Sequence, residues 1–243
     1  MKDGKVKVSV ARLCYGEYEH ARVGSWLAKT MYWLVNQRER VHGIEEWVVN
    51  KTAPVSAARN LAAMTARQGE CDLLVMVDHD MLPDVVQGAP PFIEVAFGFL
   101  YDNLIADRAP AWVAAPACAE DGRVCVHKLV EAADGSRHLL MMLPEETLGK
   151  RGLERVPGTG AGLVMYDLRC LDGMEEPWFE SVYADANQTV LHAGEDIHFT
   201  AKLTEAGLPV LVAWDCWAGH DKRRPLGKPE ARLPQRKIIL SGG

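Results

Sequence analysis

Leu73-Leu74-Val75-Met76-Val77-Asp78-His79-Asp80-Met81 is the stretch whose reading decides the fold. Five apolar residues in succession, set between Cys71-Asp72 and Pro83, describe a strand buried on both faces. The run stops on two aspartates one residue apart. In an open α/β sheet the ligand crevice lies outside the carboxyl ends of the strands, so acids placed there face it. Two hard oxygen donors at that point suit a divalent cation and, through it, a phosphate-bearing ligand. Two turn residues closing a strand would be written with the same letters, and the flanking sequence has to separate the two readings.

Working outward, Lys5 to Arg12 alternates polar and apolar residues as a first strand does. From His20 to Gln37, Val23, Trp26, Leu27, Met31, Leu34 and Val35 recur at helical spacing. Gly43 to Asn50 offers a second strand. Pro54 then opens a helix with Val55, Ala58, Leu61, Ala62 and Thr65 on one stripe and Gly69 at its end. The order β-α-β-α-β predicts a parallel sheet covered by helices. Beyond Asp80, a helix is expected over Phe92 to Ile105 and a short strand over Trp112 to Ala115. A hairpin is expected from Val124–Val130 and Arg137–Leu143 around Ala133-Asp134-Gly135-Ser136. Glu145 to Glu154 reads as a polar mobile loop, Val156 to Tyr166 as a glycine-rich approach to a strand. Gly194 to Gly207 reads as a helix, and Pro209 to Ala213 as a last strand.

At 243 residues, 48% hydrophobic and 25% charged, the chain has the totals of one globular domain with insertions. No apolar run approaches the ~18 residues of a membrane span. The first five residues lead straight into a strand-like segment, so a cytoplasmic protein is expected. The six cysteines contain no C-x-x-C pair, and reduced thiols are expected rather than a zinc site or disulfide framework. The net charge of −6 is unevenly spread: seven Lys/Arg against two acids make residues 221–243 +5, leaving −11 on residues 1–220. A basic tail on an acidic body suits an anionic partner, although a solvated tail explains it as well.

Four further features bear on chemistry. Gly158-Thr159-Gly160-Ala161-Gly162 lacks the Lys-Ser/Thr of a P-loop and the spacing of a dinucleotide fingerprint. Its glycines are expected to admit a ligand to the backbone, to form a bulge or to make a tight turn. Glu195-Asp196 opens a helix, where acids offset the macrodipole or, functionally, supply a general base. His220 leaves the last strand directly before the basic tail, where an imidazole would join carboxylates in a set that favours Mn²⁺ over Mg²⁺. Arg59 lies on the helix before the Asp78 strand and is placed to reach a phosphate or to pair with Asp78 or Asp80. His79, between the aspartates, should point to the opposite face.

Taken in order, these blocks resemble the GT-A-fold glycosyltransferases, and more narrowly the compact members common in bacteriophage genomes. The resemblance is carried by Ala58-Arg59-Asn60, Leu74 to Met81, Gly158 to Met165, Pro177-Trp178-Phe179, Gly194-Glu195-Asp196-Ile197-His198-Phe199, Ala206-Gly207 and Gly219-His220. It implies an α/β GT-A fold with a Rossmann-like mixed central sheet over residues 1–220. Residues 5–115 would be the nucleotide-sugar half and 116–220 the acceptor half, with 221–243 as the tail. It implies that Asp78, Asp80 and His220 hold Mn²⁺ (or Mg²⁺) on the diphosphate of a sugar nucleotide, a UDP-sugar above others. Asp196 would be the base, with Glu195 the alternative. Ala11, Arg12, Arg59, His79, Gly160, Ala161 and Lys222 would face the donor, and Trp178 the acceptor. The acceptor hydroxyl is left open between a saccharide and a hydroxymethylated base in phage DNA; a phage-encoded enzyme would work in the host cytoplasm. Two rivals remain: a sugar-nucleotide nucleotidyltransferase, and a non-catalytic carbohydrate-binding protein on the same fold.

Overall fold

A strand apolar on both faces needs a helix layer on each side, and β3 (Leu73–Asp78) has one. In the computed structural model, which describes residues 1–14, 21–50, 54–185, 187–188 and 191–221, Leu73, Val75 and Val77 enter one apolar cluster and Leu74 and Met76 the other. Before it come β1 (Val6–Cys14), α1 (Ala21–Asn36), β2 (Val41–Asn50) and α2 (Val55–Gln68). After it follow β4 (Met81–Leu82), α3 (Phe92–Ile105), β5 (Trp112–Ala114), β6 (Val124–Glu131), β7 (Arg137–Met142), β8 (Leu153–Arg155), β9 (Gly158–Thr159) and β10 (Leu163–Asp167). The chain closes with β11 (Val182–Tyr183), β12 (Leu191–Ala193), α4 (Glu195–Glu205), β13 (Val210–Ala213) and β14 (Gly219–His220).

Seven strands form the main sheet in the order β2-β1-β3-β10-β5-β13-β8. β1 runs parallel to both β2 and β3, and β13 parallel to β5, while β10 and β8 are antiparallel to their neighbours. The mixed α/β sheet flanked by helices is therefore the architecture expected. β10, from the second half of the sequence, sits between β3 and β5 of the first, so both halves share one sheet in a single domain. The face bearing α2 and α4 is filled by aromatics: Trp112 stacks on Tyr166 at 5.0 Å and Phe179 meets Phe199 at 4.3 Å between centroids. Among the described residues no helix is long and apolar enough to cross a membrane, and no disulfide links the six cysteines.

Three expectations need correction. The first strand does not end at Ala11-Arg12; it continues to Cys14, pairing on both sides as far as Leu13. The segment 145–154 is not loop throughout. It begins in a 3-10 turn, Pro144–Thr147, and ends in β8, the edge strand of the main sheet. Lys150 Nζ binds both carboxylate oxygens of Glu154 at 2.6 Å and lies over the Trp214 ring, whose Nε1 also donates to Glu154. The glycines of Gly158 to Gly162 make no tight turn and are close-packed. A Cβ on Gly162 would stand 2.7 Å from Met81 Sδ, and one on Gly160 3.3 Å from Cys125 Cβ. They let β9 and β10 pass between β4, β6 and α4. The hairpin turn is as expected: Gly135 has φ +81°, and Asp134 accepts from the Ser136 N–H.

Candidate functional site

The alternation along β3 fixes where Asp78 points. Leu74 and Met76 face the cluster under α2 and α4, so two residues further Asp78 emerges on the same side. There the Arg59 guanidinium, from α2, donates to Asp78 Oδ2 at 2.9 Å and also to Glu195 Oε1, at the first turn of α4. The Arg59 side chain is only 4% exposed. One buried cation therefore joins the end of β3 to the start of α4. Burial pushes the Glu195 carboxyl above the ordinary carboxylate range, Arg59 pulls it back, and Asp196 adds to the upward push. Asn60, the next residue of α2, donates to the Phe179 carbonyl and accepts from its N–H, clamping the 177–179 segment.

Asp80 takes a different direction because the strand ends at Asp78 and residues 79–80 form a turn. The chain then makes β4, which pairs antiparallel with β14 so that His220 lies opposite Met81. This ladder brings His220 Nε2 to 3.1 Å from Asp80 Oδ2, with both side chains 20% exposed, and the Asp221 N–H donates to the Asp80 carbonyl. The expected three-residue metal set is thus divided. Asp80 and His220 come together, and Asp78 turns to Arg59. Among the described residues no three His, Cys, Asp or Glu side chains gather into a metal cage. A carboxylate beside an imidazole is nonetheless a donor pair whose chemistry suits Mn²⁺ better than Mg²⁺.

Asp196 sits one residue past Glu195 on the opposite flank of the helix start. Its Oδ1 accepts from the Ile197 N–H at 2.8 Å and its Oδ2 from the Ala161 N–H at 3.3 Å. These bonds orient the carboxylate beside Gly160, whose added Cβ would lie 3.5 Å from Oδ2. Gly160 and Ala161 thus lie beside Asp196, Ala161 fully buried and bonded through its backbone N–H.

The other expected residues fare unevenly. Ala11 is buried in the core under α2, and Arg12 is half-buried mid-strand, opposite Val77 and Val48. His79 follows the strand end, its N–H donating to the Leu13 carbonyl. Trp178 is 3% exposed with the Arg67 guanidinium 5.7 Å from its ring, a core position rather than an acceptor platform. Lys222 and the rest of the basic tail lie outside the described residues. Sequence reasoning missed His127 of β6. It is buried, no hydrogen-bond partner reaches its Nδ1 among the described residues, and it feels the Asp196 charge.

Fold and site together define a mixed α/β protein whose β3 end is bonded to the start of α4 through Arg59 and followed by the Asp80–His220 pair. No protein-family model matches the chain, and no curated protein does. Solved structures do. A197 from STIV is similar at a TM-score of 0.54 and 16% identity, over 88% of this chain and 85% of that one. GalNAc-T7, solved with UDP, GalNAc and Mn²⁺, is similar at 0.46 and 13%, over 90% of this chain and 44% of that one. A protein described as a nucleotide-diphospho-sugar transferase from Desulfovibrio desulfuricans G20 is similar at 0.34 and 12%, over 86% and 79%. At such identities likeness speaks to fold alone.

Proposed function

We propose that the chain is a metal-dependent glycosyltransferase that moves a sugar from a nucleoside-diphosphate sugar, with UDP-sugars the first candidates, to an acceptor hydroxyl. The observation that carries this reading is that two acids are held by different partners. Asp80 is paired with His220, whereas Asp196 accepts from the Ala161 and Ile197 N–H groups, with Gly160 alongside it. One acidic group suits a leaving diphosphate and the other a proton.

Asp80 and His220 would hold the divalent ion, which when bound supplies charge neutralisation to the departing diphosphate. The bond from the anomeric carbon to the diphosphate oxygen breaks, and the electron pair leaves with the nucleoside diphosphate. The acceptor oxygen forms the new bond to that carbon, and its proton passes to the Asp196 carboxylate. Glu195 is the weaker candidate for base, because Arg59 occupies it in a buried pair. Arg59 acts as a positioning residue, fixing the start of α4 against the end of β3.

The test is release of UDP from UDP-glucose, UDP-galactose and UDP-GalNAc with Mn²⁺, where water serves as slow acceptor. Asp196→Asn should bind the donor as wild type does and lose turnover by about 10²-fold or more. An Asp196→Asn protein with full activity would move the base elsewhere, and wild type inert toward all sugar nucleotides would sink the reading.

A further inference from the structure

β2 is the outermost strand at one side of the main sheet, with β1 as its sole neighbour there. It runs for ten residues and contains neither proline nor lysine, two of the devices that blunt such an edge. Between residues 42 and 49, among the described residues, only β1 bonds its backbone. Every second residue therefore turns an N–H and a C=O away from the sheet.

The side chains along that edge are partly apolar. Register with β1 sets Ile44, Glu46 and Val48 on the face of Val8 and Val10, which α1 covers, and Trp47 on the face of Ala11. Trp47 and Val48 are exposed, as is Val35 near the end of α1. An open groove of about 300 Å³ lies where α1 meets β2, lined by Leu34, Val35 and Val41 to Ile44. A strand added to β2 would lay alternate side chains over it.

Charge and reach choose the occupant. A second copy would set an edge carrying Glu45 and Glu46, on a body of −11, against its equal. Residues 221–243 are +5 and contain Arg236-Lys237-Ile238-Ile239-Leu240, basic and then apolar, with Pro225, Pro229 and Pro234 all ahead of it. Because β1, β2 and β3 run parallel, β2 ends on the side of the sheet where β3 ends. The described chain leaves from that side, the Asp221 N–H bonded to the Asp80 carbonyl. β2 is the second neighbour of β3, roughly 10 Å away, and the linking residues 222–235 can span up to about 46 Å. A segment arriving from there meets β2 at Asn50 and runs antiparallel to it.

We propose that residues 236–240 of this chain add to β2 as an antiparallel strand and cover the edge of the main sheet. Lys237 opposite Glu46 sets a register that places Ile239 opposite Ile44, beside the groove, and Arg236 opposite Trp47. The inference is independent of the transferase reading.

Hydrogen–deuterium exchange of the full chain, followed on peptides spanning residues 42–49 at two protein concentrations, tests it. The outward amides of β2 should exchange at least tenfold faster in Ile239→Asp than in wild type, while β1 and β3 amides keep their rates. Lys237→Glu should speed the same peptides, and adding Glu46→Lys to it should restore their protection. If Ile239→Asp does not fold, the charge exchange carries the test. Rates within twofold of wild type in the single variants, or no recovery in the double exchange, would overturn the docking. Protection that grows with protein concentration would assign the edge to a second copy and overturn it equally.

Discussion

Removing the Arg59 guanidinium is the sharpest perturbation available at this site, because it takes one cation from two buried acids. The Arg59 side chain is 4% exposed, Glu195 10% and Asp78 13%. Losing one member of a buried ion pair destabilises by about 3–5 kcal/mol, since a charge stays behind out of water. Arg59→Met keeps the stem and removes the charge. Part of the penalty is relieved if Glu195 binds a proton, and its carboxyl is already pushed above the usual range by burial despite Arg59. An acid whose folded pKa is raised stabilises the fold as pH falls toward its ordinary value of 4.5 and destabilises it as pH rises through the folded value. Without Arg59 that folded value climbs further, so the variant's deficit must widen with pH. Urea unfolding at pH 5 and pH 8 should therefore give a loss of about 3–5 kcal/mol at pH 8 and a clearly smaller one at pH 5. In thermal unfolding the pH 8 loss corresponds to roughly 6–20 °C. Adding Glu195→Gln to Arg59→Met should recover much of the pH 8 deficit. A loss under about 1 kcal/mol, or an equal loss at both pH values, would refute the idea that Arg59 compensates buried charge.

Two further outcomes follow from packing. Gly162→Ala brings a methyl into Met81, itself 2% exposed, so a destabilisation of about 1–3 kcal/mol by urea titration is expected, without loss of secondary structure in circular dichroism. Cys118 is exposed, whereas burial pushes the Cys71 and Cys216 thiols up to about 12. A disulfide reagent at pH 8 should consume Cys118 first in the native protein and reach Cys71 and Cys216 only on unfolding, as peptide mapping would record.

Much of the fold was legible because its signals are local. Leu73 to Val77 reads as a strand covered on both sides, and the periodicities of α1 and α2 stand out in the letters. What escaped notice depends on distance along the chain. β8 is three residues, Leu-Glu-Arg, with no pattern of its own, and exists because β13 offers it an edge. β4 and β14 are two residues each, yet their pairing sets His220 beside Asp80 across 140 positions. Asp78 and Asp80 stand one residue apart in the letters, which suggests one clamp. The turn at residues 79–80 breaks it, and the two acids part. The bond from Arg59 to Glu195 spans 136 residues and has no local signature.

The central claim is that Asp80 and His220 present a metal-assisted site for a sugar nucleotide. Calorimetric titration of UDP-GalNAc and UDP-glucose into wild type and Asp80→Ala, each with and without Mn²⁺, tests it most directly. The account predicts that wild type binds at least one donor at least tenfold more tightly with Mn²⁺, and that Asp80→Ala stays folded but loses that gain. Equal donor affinity with and without the metal, or in wild type and variant alike, would contradict it.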